Sequence, residues 1–197
     1  MMSGVGNTRV FGLAHRARSS PGRPTEPVTR SPFTPALHFC HDPRMILGVS
    51  PTRDAVVIAH TTGSGETFAI KSIASIQFRA QSGDDLTELL NRLTALFGRG
   101  VTRRSTIALL ATSSGRFKSS VEAIKAEAIT ELAAAGCGLT VVRVTAASLK
   151  KALGCAAGQK WQARAAERFN PGDRHKHWSH GAAGAVAAAL KVDGGTT

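Results

Sequence analysis

The chain has 197 residues, 42% of them apolar, and no run approaches the roughly 18 consecutive apolar residues of a membrane span, so neither a transmembrane anchor nor a membrane partner is expected. Its formal net charge is +12 and its pI about 10.8, a balance that favours a polyanion such as nucleic acid over an acidic surface of its own. Three scattered cysteines, Cys40, Cys137 and Cys155, make no CxxC pair and no metal-ligand spacing, which excludes a disulfide framework and fits a reducing, cytoplasmic compartment.

Residues 1–44 hold six arginines against Glu26 and Asp42, a net +4 that leaves +8 for the remainder. They are rich in Pro, Ser and Gly, and Ser19-Ser20-Pro21-Gly22-Arg23-Pro24 is a disorder signal. The expectation is a disordered tail, or an upstream extension of a chain starting at Met45. A targeting segment is the third reading of an Arg-rich, acid-poor stretch.

From residue 45 the pattern becomes that of a folded domain, expected over 45–192 with a flexible tail at 193–197. Met45-Ile46-Leu47-Gly48-Val49-Ser50 reads as a first strand, followed by a turn at Pro51-Thr52-Arg53-Asp54. Residues 55–62 are rich in β-branched side chains, Gly63-Ser64-Gly65-Glu66 is a second turn, and 67–78 forms a third strand. Short connections make these three an antiparallel meander. A helix follows, capped by Ser82 or Asp84, with Leu86, Leu89, Leu90, Leu93, Leu96 and Phe97 on one face.

Residues 105–111 are a continuous apolar run, as in a strand buried on both faces. The next helix is expected over 120–135, with Val121, Ile124, Ala128 and Leu132 inward and Gly136 as its stop. A fifth strand at 139–144 and helices at 146–153, 159–169 and 181–191 complete the order. Two strand–helix crossovers after a meander imply a mixed sheet with the first strand at its centre.

That order is the one found in the ribonuclease-H-like fold, and four segments carry a closer resemblance. Ile46-Leu47-Gly48-Val49-Ser50-Pro51 is similar to the opening strand of RuvC-type Holliday-junction resolvases, which reads I-L-G-I-D-P. Gly115-Arg116-Phe117 with the helix after it, Val141 to Gly154, and Gly181-Ala182-Ala183-Gly184-Ala185-Val186-Ala187 resemble later segments in the same order. The resemblance covers roughly residues 45–192. It implies an α/β domain in which a three-strand antiparallel meander and two parallel strands are flanked by helices.

The same resemblance implies metal-binding carboxylates on the first strand, the fourth strand and the last helix, where two metals activate water. This chain has Ser50, Leu110, Gly181 and Gly184 at those positions. No cofactor is therefore expected, and Mg²⁺ or Mn²⁺ enters only if the protein is a nuclease after all. Asp54, across the turn from Ser50, is the nearest carboxylate.

Other residues offer further chemistry. His175, His177 and His180, with Asp173, have spacing that a transition metal accepts, although a structural or phosphate-contacting role is the preferred reading. Trp178 reads first as an apolar plug and second as a base-stacking group. Glu122, Glu127 and Glu131 share a helix, read as a solvated face with Glu127 pairing Lys125 or Lys151. Arg116 and Lys118 precede a helix N-terminus, where a phosphate is well placed. With Lys150, Lys151, Lys160, Arg164, Arg174 and Lys176 they make up the expected nucleic-acid surface. Walker spacing is absent, so nucleotide hydrolysis is not supported. With no Tyr in the chain, an extended stacking platform for single strands is not indicated either.

The leading functional reading is a non-catalytic, pseudo-nuclease domain that binds DNA or RNA without regard to sequence, with a homodimer left open. The alternatives are a metal-dependent nuclease with an atypical His/Asp site and a protein-interaction scaffold without nucleic acid.

Overall fold

The apolar run that follows residue 45 forms the middle of a sheet. In the computed structural model, which describes residues 45–99, 105–112, 120–172, 174–175 and 178–194, β1 (Ile46–Pro51) has β2 (Ala55–Thr62) antiparallel on one side. On its other side lies β4 (Thr106–Leu110), parallel to it. With β3 (Ala69–Gln77) and β5 (Thr140–Val144) the strand order is β3-β2-β1-β4-β5. Arg116, Lys118, Asp173, Lys176 and His177 lie outside the described residues, as do 1–44. All described residues belong to one unit, Cys40–Thr197. None of their helices is long and apolar enough to cross a membrane.

Alternation along β1 divides the core in two. Leu47 and Val49 face α1 (Gly83–Gly98) and α2 (Val121–Gly136), packing with Leu89, Leu93, Phe97, Ala126 and Ala133. Ile46 faces the other way, toward α3 (Ala146–Ala152), α4 (Trp161–Phe169) and α5 (Ala182–Asp193). Complete burial of Leu89, Leu93 and Phe97 contributes roughly 1.5–3 kcal/mol each. Ser82 caps α1 through its side chain, which accepts the Asp85 N–H, while the Asp85 carboxylate accepts the Ser82 N–H.

Backbone proximity explains the alanine-rich helix. A Cβ on Gly48 would stand 1.8 Å from the Ala185 carbonyl oxygen. Helix α5 therefore lies directly on β1, an approach open only to a residue without a side chain. Every residue of α5 from Ala182 through Leu190 is buried. The helix runs to Asp193, whose carboxylate accepts the Gly65 N–H at 2.8 Å.

Two expectations about α2 are corrected. Val121, Ile124 and Leu132 are 62, 51 and 56% exposed, and Ala128 is also exposed, so the proposed inner face is the outer one. The buried face carries Ala123, Ala126, Glu127, Thr130, Ala133 and Ala134. Small residues bring α2 close to the sheet and to α1, which larger aliphatic side chains would hold apart. Glu127 is buried rather than solvated, and it pairs with neither expected lysine. Its Oε2 accepts from the Thr112 N–H and hydroxyl at 2.9 and 2.6 Å, and its Oε1 lies 3.3 Å from Arg143. Lys125 instead donates to the Ala80 carbonyl.

Candidate functional site

Where β1 ends, the chain turns sharply. Thr52 N–H donates to the Ala55 carbonyl at 2.8 Å, and Thr52 Oγ1 accepts the Ala55 N–H at 3.0 Å. This closed turn leaves Arg53 and Asp54 exposed beside the carboxyl ends of the parallel strands, where ligands commonly bind in open α/β sheets. A cleft of about 720 Å³ opens there. Its floor is Ser50 and Leu110, one wall is the start of α5 with Gly181 and Gly184, and Trp161, Trp178, His180, Arg53 and Asp54 line the rest. A second cleft of about 450 Å³ shares Arg53, Leu110, Trp161 and Gln162, and extends the groove toward Thr112 and Ser120.

The structure thus brings Ser50, Leu110, Gly181 and Gly184 to one place, although three separate elements supply them. Their packing leaves no cradle for a hard cation. Ser50 is 4% exposed, and a Cβ on Gly184 would come within 2.8 Å of both Ser50 Oγ and Leu110 Cδ2. Gly181 has φ +119°, and a Cβ there would meet Thr52 Cγ2 at 2.9 Å. A carboxylate-bearing residue at either glycine would need its neighbours to move, and at 181 it would also hold a left-handed backbone that side chains disfavour. Asp54 is the one carboxylate in the described lining. Divalent magnesium or manganese asks for several oxygen ligands, so the described lining does not fit such a pair of ions.

Of the expected histidine cluster, His175 and His180 are described and His177 and Asp173 are not. His175 stacks on Trp178, with ring centroids 6.3 Å apart, while His180 is exposed and lines the cleft. No group of three or more His, Cys, Asp or Glu side chains among those residues is placed to hold a metal. Both described cysteines, Cys137 and Cys155, are free and partly buried.

Of the expected basic surface, Lys150, Lys151, Lys160 and Arg174 are exposed. Lys150 and Lys151 occupy the last turn of α3, and Lys160 is the N-cap of α4, immediately before the cleft residue Trp161. Arg164 differs. Its guanidinium bonds Glu167 at 3.0 Å, and its Nε is buried without a partner among the described residues.

Sequence reasoning missed three participants. In the sequence Arg53 reads only as part of a turn, though its position after the first parallel strand is a usable signal. Trp161 carries no local signal, since only the tertiary fold brings the start of α4 beside the end of β1. The Glu127–Arg143–Glu131 cluster was missed because it joins α2 to β5, with Arg143 donating to Glu131 Oε2 at 2.9 Å. That arrangement raises the Arg143 pKa, chiefly through its hydrogen bonds and charge pairing with Glu131.

A five-stranded mixed sheet of this order, with helices on both faces, is the ribonuclease-H-like α/β fold in its RuvC-type arrangement. Thermus thermophilus RuvC is similar to it at 17% identity and a TM-score of 0.57, over 75% of this chain and 92% of that one. T. thermophilus RuvC in complex with Holliday junction substrate is similar at 16% identity and 0.56, over 75% and 91%. At such identities the likeness is one of fold. No protein-family model and no curated protein matches the sequence.

Proposed function

We propose that this domain binds nucleic acid through its basic surface and does not cut it. The observation that supports this is the cleft at the end of β1, where Ser50, Leu110 and Gly184 pack against one another in place of a carboxylate set. Two-metal hydrolysis requires ligands that fix both ions, whereas binding requires only cations positioned along a backbone. Lys150, Lys151, Lys160, Arg53 and Arg174 are exposed for that purpose. Contacts of this kind carry little sequence information, so recognition rests on shape and charge. The fold likeness to a RuvC bound to a Holliday junction makes branched DNA the first probe.

The test is a titration of branched and linear DNA and RNA at several salt concentrations, with a cleavage assay in Mg²⁺, Mn²⁺ and Zn²⁺ alongside. Affinity should fall linearly with salt on a double-logarithmic plot, by about 0.9 per phosphate neutralised on duplex DNA, with every substrate left intact. Absence of salt-sensitive binding at low salt removes the reading. One observation favours the nuclease alternative: His180 and Asp54 line the same cleft. Metal-dependent cleavage that is lost in His180→Ala would establish it.

A further inference from the structure

The cleft differs from its surroundings in one chemical respect: it holds both tryptophans of the chain, Trp161 and Trp178. Gln162, exposed, and Arg53, exposed, line it as well. We propose that it accepts one unpaired nucleobase, stacked on Trp161, with the attached phosphate toward Arg53. This deepens the nucleic-acid reading above and rests on it.

Three observations converge. First, a volume of about 720 Å³ is ample for a single nucleotide, small-molecule sites being roughly 300–1,000 Å³. Second, the lining supplies each kind of group that an extruded base needs: an aromatic face, an amide with donors and an acceptor for the base edge, and a cation for the backbone. A purely apolar ligand would leave Gln162 and Arg53 unused. Third, Trp178 is half-buried among the α5 core residues, and its Nε1 is buried without a partner among the described residues. It acts as a fixed wall, while Trp161, the first residue of α4, faces both this cleft and its 450 Å³ extension. A strand lying along that extension meets, in this cleft, a place to insert a base. The paucity of aromatics argues against a platform stacking many bases in a row, and a pocket for one base requires only these two residues.

Because the chain has two tryptophans and both line the cleft, intrinsic fluorescence reports on it directly. The full chain is titrated with adenosine 5′-monophosphate, ribose 5-phosphate, a fully paired duplex and the same duplex with one unpaired adenosine. Saturable quenching by the mononucleotide and the bulged duplex, and little by ribose 5-phosphate or the paired duplex, is expected. Gln162→Ala, at an exposed position, and Trp161→Leu should each lower mononucleotide affinity measured by calorimetry, the latter roughly ten-fold. Trp161→Phe should restore most of it.

Equal quenching by ribose 5-phosphate would mean a simple anion site and overturns the proposal. Equal quenching by the paired duplex overturns base insertion. Duplex binding without any fluorescence change removes this inference and leaves the nucleic-acid reading standing. Mononucleotide quenching with no binding of any polynucleotide does the reverse, and assigns the cleft to free nucleotides.

Discussion

Glycine 48 sits in the strand on which the helix α5 lies, and the consequence is local and severe. An added methyl would stand 1.8 Å from a backbone oxygen that belongs to a buried helix and has no room to retreat. Gly48→Ala should therefore lose at least about 3 kcal/mol, the upper range for overpacked cores, or fail to fold, as urea unfolding would read. Ser50 differs, since it already carries a side chain and its Oγ faces Gly184 and Gly181, where no side chain stands. Ser50→Asp should fold but lose roughly 1–3 kcal/mol, the cost of a poorly solvated polar group. It should gain neither Mg²⁺-dependent stabilisation nor cleavage. Thermal melts with and without Mg²⁺ check this, and a metal-dependent rise in Tm with strand cleavage would contradict it. Glu127 and Glu131 both meet Arg143, yet Glu127 is 8% exposed and Glu131 34% at the side chain. Glu127→Ala also strips the Thr112 N–H and hydroxyl of their acceptor, so it should cost about 1–3 kcal/mol. Glu131→Ala should cost under about 1 kcal/mol, because an exposed pair is screened.

At the scale of elements, helix α2 teaches most about legibility. Strands β1, β2 and β4 are visible as apolar or β-branched runs, and α1 as a clean stripe with its cap. In α2 apolar residues occur all round the helix, so periodicity cannot select a face. Val121, Ile124 and Leu132 point outward, while Ile129, the alanines and a hydrogen-bonded glutamate point in. A paired substitution measures this. Ile124→Lys should change unfolding free energy by no more than about 0.5 kcal/mol, as at ordinary surface positions. Ala126→Leu, at a fully buried position, should destabilise by roughly 1–3 kcal/mol through overpacking. The reverse order would restore the face that the side-chain sizes favour.

For the molecule as a whole, stability should depend on pH in two separate windows. Burial, with Lys71 nearby, holds the pKa of His60 below its ordinary value. The folded state thus prefers the neutral imidazole, so stability is full above about pH 6.5 and declines as pH falls below it toward the folded pKa. His60→Gln should flatten that part of a urea-midpoint profile. Hydrogen bonds from Ser82 lower the pKa of Asp85, so its contribution is present above the ordinary carboxylate range and is lost only as pH falls through it. Ser82→Ala should weaken the acid limb and leave the His60 limb in place.

The order of the elements, the central place of β1, and the lack of carboxylates at Ser50, Leu110, Gly181 and Gly184 are all legible in the sequence alone. They rest on local patterns, residue identity and the rules for connecting strands, none of which needs the packing distances. The tertiary structure alone decided that those four positions close on one another, that Trp161 and Arg53 share a cleft with them, and that Glu127 is buried on Arg143. Each of these is a meeting of residues from different elements, set by how closely α5 and α2 approach the sheet. That distance depends on the summed volumes of facing side chains, which no single stretch of the chain contains.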